Sequence, residues 1–353
     1  MNIKDIVLQG YTDRVTSPDG AMGLEAAQVC RMDAYDPALL RQVPKDIIDR
    51  DYGCGNPSKY AQAGDVALDL GSGSGKICYI LAQIVGPQGH VIGVDMNKDM
   101  LALSRSHQKP FGDQLGYSNL RFFWGTIDDL ATDLEASEET VSGRSLENLD
   151  DYTALQDSLK DQRESNPMIA DNSVDLVVSN CVINLVDTDR KLNVLQEIFR
   201  VLRPGGRIAL SDNVSNIDVP EELKNDPELW VGCYSGVYQE QEFYRVLCDV
   251  GFAGLTVKER AGVPEKTIGA VEFQSVTVTA FKPLEAVTSS DMTRVLYKGP
   301  WTFVSDDEGN QLHRGKITLV DKTTARQLRH SAFSEHLFFL DDQPGSNGSG
   351  CCG

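Results

Sequence analysis

The chain is short of positive charge, of long apolar runs and of histidines at ligand spacing, and each shortage removes a class of function. Only 33 lysines and arginines face 52 aspartates and glutamates among 353 residues, a formal net charge of -19. A surface this acidic repels phosphate backbones and anionic lipid, and no local basic patch offsets it, so no nucleic acid and no membrane is expected as a partner. No run is long enough to span a bilayer, and the first residues lack the basic start and apolar core of a secretion signal. A cytoplasmic protein is therefore expected, with its 8 cysteines resting as thiols rather than as a disulfide framework. His107, His313, His330 and His336 show no spacing that would demand zinc. What is present, 41% hydrophobic and 24% charged residues, is ordinary for a globular protein with one large domain and a smaller one.

From about residue 64 to about residue 260, strand and helix signals alternate as in a doubly wound parallel sheet. Apolar runs place strands at Val66 to Leu70, His90 to Val94, Leu120 to Trp124, Val174 to Ser179 and Arg207 to Ser211. Helical periods lie between them at Gly75 to Val85, Lys98 to Gln108 and Asp189 to Leu202, with another at Gln239 to Val250. Arg203-Pro204-Gly205-Gly206 reads as a turn, and Leu255 to Glu259 and Val271 to Phe281 would close the sheet. An acidic, Ser-rich stretch over about 128–172 reads as a surface insertion with one helix near Tyr152 to Lys160. The expected organisation is an N-terminal helical segment over 1–50, a main domain over 51–282, a small C-terminal domain over 283–342 and a Gly/Ser/Cys tail over 343–353. Strands at Thr293 to Leu296 and Lys316 to Val320 and a helix at Thr323 to Leu328 make the small domain α+β.

Two cysteines flank one glycine loop. Cys54 lies in Tyr52-Gly53-Cys54-Gly55, the loop is Leu68-Asp69-Leu70-Gly71-Ser72-Gly73-Ser74-Gly75, and Cys181 ends a strand in Ser179-Asn180-Cys181-Val182. Gly71, Gly73 and Gly75 follow a strand and open a helix, so bare backbone can approach a ligand there. The spacing is neither the dinucleotide fingerprint nor the phosphate loop. Asp95, ending the next strand, is placed to accept hydrogen bonds from ribose hydroxyls.

The loop, Asp95 and Gly125-Thr126-Ile127-Asp128 together resemble the S-adenosylmethionine pocket of the Rossmann-like seven-stranded class I methyltransferases. The resemblance implies cofactor contacts from Tyr52, Asp69, Gly71, Gly73, Gly75, Asp95, Met96, Thr126, Ile127 and Asn180. With Cys233 in Trp230-Val231-Gly232-Cys233, the sequence is similar to the arsenite methyltransferases over roughly residues 50 to 280. That likeness implies Cys54, Cys181 and Cys233 as ligands of trivalent arsenic, and Cys30 as a further cysteine of the redox cycle. It also implies a thiol reductant, thioredoxin or glutathione, and methylated arsenicals as detoxification products. Soft thiolates suit a soft, trigonal centre whose lone pair is left to attack a methyl group.

Cys78 and Cys248 fall in apolar helical patterns and are expected to be buried packing, while Cys351 and Cys352 are either a capture pair or an idle tail. Two other readings stay open. One is a methyltransferase of another small metabolite, although the fourth-strand motif lacks the Asn/Asp-Pro-Pro-aromatic signature and no acid–base pair stands out. The other is a protein that binds arsenic without chemistry. The insertion after Asp128 is longer than the family pattern.

Overall fold

The computed structural model describes residues 3–16, 35–50, 52–284 and 292–342. Seven strands form the main path of its large sheet: β1 (Val66–Leu70), β2 (His90–Asp95), β3 (Leu120–Trp124), β4 (Val174–Asn180), β5 (Leu202–Ser215), β6 (Ala253–Arg260) and β7 (Val271–Phe281). Their order is β3-β2-β1-β4-β5-β7-β6, with short strands Tyr238–Gln239 and Lys266–Ile268 paired at the margins of β5 and β7. β1 to β5 pair in parallel, and β7 alone runs antiparallel to both of its neighbours. The chain moves outward from β1 first through β2 and β3, then through β4 and β5. A crevice therefore opens beyond the carboxyl ends of β1 and β4, where such sheets bind ligands.

The helices of five residues or more are α1 (Ile3–Thr16), α2 (Lys76–Val85), α3 (Lys98–Leu115), α4 (Leu134–Val141), α5 (Leu149–Ser165), α6 (Lys191–Val201), α7 (Pro227–Val231), α8 (Glu240–Val250) and α9 (Lys322–His330). Strand side chains alternate between faces, so near-continuous apolar runs build two cores at once. Leu68, Leu70, Val177, Ile208 and Leu210 pack with α6 and α8 through Val194, Leu195, Ile198, Phe243 and Leu247. Ala67, Leu176, Val178 and Ala209 pack on the other face with Ile77, Ile80 and Leu81 of α2 and with Ile47. Each valine, leucine or isoleucine among them stabilises the fold by roughly 1.5–3 kcal/mol.

Arg203-Pro204-Gly205-Gly206 is not a turn. It opens β5, because Gly205 takes φ +81° and lets the strand bulge while Gly205 N–H and Gly206 C=O both pair with Lys282. The acidic insertion carries two helices, α4 and α5, rather than one. The expected helix near Tyr152 to Lys160 is the middle of α5; both helices start at side-chain caps, Asp133 and Asn148, but among their residues only Leu155 is buried, so little apolar period announces α4 or the ends of α5. Its ends are tied together by Met168 N–H to Ala131 C=O and Ile169 N–H to Leu130 C=O, both 2.9 Å.

The C-terminal unit is built on its own apolar cluster of Val295, Tyr297, Leu312, Val320, Ala325, Leu328 and Leu337. It comprises a three-stranded antiparallel sheet of β8 (Met292–Tyr297), β11 (Ile317–Asp321) and β12 (Leu337–Phe339), a hairpin of β9 (Phe303–Ser305) and β10 (Gln311–His313), and α9.

Candidate active site

Three loop systems meet at the carboxyl edge of the sheet. After β1, Gly71, Gly73 and Gly75 take φ values of +64°, +52° and +94°, a region that costs glycine nothing. A Cβ on Gly71 would stand 2.3 Å from Val182, so glycine there is also required by space. At the end of β2, Asp95 accepts hydrogen bonds from Gly73 N–H (2.7 Å) and Asn97 N–H (2.8 Å), which fixes the glycine loop to the neighbouring strand. Burial pushes its carboxyl above the usual carboxylate range, and the amide donors oppose that rise. Beyond β3, Ile127 is buried, and Asp128 pairs with Arg190 at the rim.

These loops line a cleft of about 1180 Å³, its open mouth included, to which Tyr52, Asp69, Gly71, Gly73, Asp95, Met96, Thr126, Ile127, Asn180 and Cys181 all contribute. Gly75 stands just behind, at the start of α2. α1 lies across one side of the cleft. Asn97 Nδ2 donates to Thr12 Oγ1 (3.0 Å), and the Tyr11 ring meets Tyr52 edge-on at 5.8 Å.

Cys54, Cys181 and Cys233 form one buried cluster against Leu185, which meets the cleft through Cys181 and Leu185. Cys54 and Cys181, whose Cα atoms are 5.9 Å apart, are joined as a disulfide. This corrects the expectation of resting thiols. Where thiols are kept reduced, a bridge that does form is usually a transient, catalytic or redox-sensing one, and two thiols that one fold brings into contact are of that kind. The Cys233 sulfur lies 3.3 Å from the Cys181 carbonyl and 3.8 Å from the Tyr11 hydroxyl. Cys181 and Cys233 both hold left-handed backbone, φ +59° and +64°. Such strain costs a non-glycine residue on the order of 1–3 kcal/mol and clusters at functional sites.

Asn180 shapes the cluster. Its Oδ1 accepts from Cys54 N–H (2.9 Å) and Gly55 N–H (3.0 Å), and its Nδ2 donates to the Gly55 carbonyl (2.9 Å). A Cβ on Gly53 would fall 2.0 Å from that amide, so glycine admits the clamp. The residue lines the cleft and also holds the cysteine loop, a double part that the sequence does not disclose.

Cys78 is buried and donates to Asp69 Oδ2 (3.2 Å), its thiol pushed far up first by burial and then by the Asp69 charge. Cys248 is exposed, contrary to expectation, because the stripe that α8 buries is Phe243 and Leu247 and Cys248 points one step away. Cys30, Cys351 and Cys352 lie outside the described residues. Sequence reasoning missed Asn97 and Tyr11. Asn97 carries a signal, as the cap accepting from Asp99 and Met100 N–H at the start of α3. Tyr11 carries none. Among the described residues, no group of three His, Cys, Asp or Glu side chains forms a metal site, and no helix is long and apolar enough to cross a membrane.

The residues fit S-adenosylmethionine. The buried hydroxyl of Ser72 has no hydrogen-bond partner where it lines the cleft, and the left-handed glycines expose backbone beside it. The strand order with one reversed strand and the cleft at its switch point define the class, a Rossmann-like S-adenosylmethionine-dependent methyltransferase, and a methyltransferase-domain family matches residues 61–141 and 144–251. A domain family of unknown function matches residues 285–347. An arsenite methyltransferase of Aquipseudomonas alcaligenes is 32% identical over 350 residues, 95% of this chain and 88% of that protein. The human arsenite methyltransferase is 31% identical over 312 residues, 84% of this chain and 72% of its own length. The crystal structure of an arsenic(III) S-adenosylmethionine methyltransferase from Chlamydomonas reinhardtii superposes with a TM-score of 0.59 at 29% identity, over 86% of this chain and 96% of that one. The chain belongs to the arsenite methyltransferase family.

Proposed function

We propose that the protein methylates trivalent arsenic held by the thiolates of Cys54, Cys181 and Cys233. The observation that carries this reading is the meeting of three cysteines in one buried cluster beside the cleft, although 127 residues separate the first pair and 52 the second. S-adenosylmethionine, when bound, supplies the methyl group as a soft sulfonium electrophile. Gly71 and Gly73 would border its methionine part, Asp95 would accept from the ribose hydroxyls, and Thr126 and Ile127 would meet the adenine. Tyr52, Asp69, Met96 and Asn180 complete the walls, and Gly75 sets the loop's exit into α2.

Three thiolates satisfy trivalent arsenic and leave its lone pair as the nucleophile, so the residues have no proton to remove. Their task is orientation, which can supply roughly 7–11 kcal/mol of a barrier. Left-handed backbone at Cys181 and Cys233 and the Asn180 clamp on Cys54 hold the three sulfurs for that task. In the disulfide form neither Cys54 nor Cys181 is a thiolate, and neither can act as a ligand. A thiol reductant, thioredoxin or glutathione, must deliver two electrons and two protons to that bond and leave as its own disulfide. Methylation formally oxidises the arsenic, and we place Cys30 among the thiols that reduce it for a further round. In this reading residues 51–282 carry the chemistry, residues 1–50 are an N-terminal helical segment whose α1 flanks the cleft, and residues 283–342 are an appended unit in a cytoplasmic detoxifying enzyme.

Incubation with arsenite, S-adenosylmethionine and a thiol reductant, followed by chromatographic product analysis, tests the proposal. Wild type is expected to yield methylated arsenic and Cys181→Ser to yield almost none. Equal yields from the two proteins would sink the ligand assignment, and no product from wild type would sink the activity.

A further inference from the structure

We propose that Asp212 is a positioning residue that sets the spacing between Cys181 and Cys233 through the loop that follows Cys181. The inference rests on the reading of those cysteines as arsenic ligands.

Asp212 lies on β5, 2% exposed and away from the cleft walls. Its Oδ2 accepts from Ile183 N–H (3.0 Å), and its Oδ1 accepts from Asn184 Nδ2 (2.6 Å) and from Asn213 N–H (2.9 Å). The Asn184 amide donates in addition to the Asn213 carbonyl (2.7 Å). The short turn Ile183–Leu185 is thus fastened to β5 at two successive residues, directly after Cys181, whose own N–H donates to Ser211 C=O (2.8 Å). Leu185, closing the same turn, packs on the thiol cluster.

The turn also seats the other cysteine. A Cβ on Gly236 would fall 2.1 Å from the Asn184 carbonyl, so the segment following Cys233 runs in contact with that turn. The Cys233 sulfur itself reaches the Cys181 carbonyl at 3.3 Å. Asp212 therefore stands behind both strained cysteines while touching neither sulfur.

The chemistry of the contact calls for a carboxylate. Three N–H groups converge on its two oxygens, which a carboxylate accepts best, whereas an amide would turn a donor toward one of them. A carboxylate at this depth is costly unless countered. Burial pushes the Asp212 carboxyl up to about 7, and the Asn213 N–H and the charge of Lys191, also 2% exposed at the start of α6, pull it back toward the ionised form. Asn184, Lys191, Asp212 and Asn213 are all buried, so polar groups concentrate where an ordinary strand end would carry apolar packing.

The test is a pair of titrations on the reduced full-length protein, with arsenite and with S-adenosylmethionine, in wild type and Asp212→Asn. Arsenite affinity is expected to fall about tenfold to a hundredfold, as for groups that orient metal ligands, while cofactor affinity stays unchanged. X-ray absorption on the arsenite complex is expected to count three As–S contacts in wild type and fewer in the variant. Unchanged arsenite affinity, or an equal loss for both ligands, would overturn the proposal in favour of a general structural role. If Asp212→Asn does not fold, Asn184→Ala removes only the amide arm and is scored on the same criteria. Wild type that binds no arsenite would sink the thiolate reading itself, and this inference with it.

Discussion

At the scale of single residues, the three-cysteine cluster is held by groups that never touch its sulfurs. Asn180 organises Cys54 through two backbone N–H groups, and replacing it by alanine leaves both donors partly buried with their acceptor gone. Such a loss costs about 1–3 kcal/mol. Asn180→Ala is therefore expected to lower unfolding free energy by that amount in a denaturant titration and to weaken arsenite binding in the reduced protein. Arsenite affinity equal to wild type would show that the clamp is dispensable. The cysteines themselves were legible in the sequence, because a soft thiol on each side of a cofactor loop is an unusual pattern. Asn180 was legible as a cofactor-side residue but not as the clamp on Cys54, since its bonds join segments 126 residues apart. The disulfide was not legible, as nothing in local spacing tells that Cys54 and Cys181 meet.

Elements were read well wherever burial drives them. β1, β3 and β7 have the bounds that their apolar runs imply, because each side of the sheet demands hydrophobic residues from both faces. The start of β5 escaped, since Pro-Gly-Gly has the composition of a turn and only the pairing with Lys282 makes it strand. α4 escaped for the opposite reason, and α5 was legible only over its middle near Tyr152 to Lys160, as helices held mainly by caps and charge carry little apolar period. They attach through Lys98–Glu138 (3.0 Å), Arg105–Glu135 (2.5 Å) and Arg163–Asp129 (3.2 Å), exposed pairs worth about 0–1 kcal/mol each. With Leu155 as the one core contribution of α5, replacing residues 134–165 by a short Gly/Ser linker is expected to lower Tm by only several degrees. The paired ends at Leu130–Ala131 and Met168–Ile169 allow the short connection. Methylation rate at saturating substrates should be retained, and a collapse of kcat with the fold intact by calorimetry would assign the insertion a part in the chemistry.

For the molecule as a whole, net charge and the depth of the thiol cluster act on the same step, reduction of the Cys54–Cys181 bond. The two cysteines are 2% and 4% exposed, so a reductant has to enter through the cleft beside α1. It approaches a body of formal charge -19, which repels an anionic thiol such as glutathione but not a neutral dithiol. Over distances beyond the Debye length, about 10 Å at 0.1 M salt, added salt removes that repulsion. Reduction by glutathione, followed by mapping of labelled Cys54 and Cys181, is expected to accelerate as ionic strength rises, and reduction by dithiothreitol to stay flat. Arsenite binding should appear in step with the labelled thiols in both cases. Equal salt dependence for the two reductants would place the resistance in opening of the cleft rather than in the field, and arsenite bound before any label enters would separate the disulfide from the arsenic site altogether.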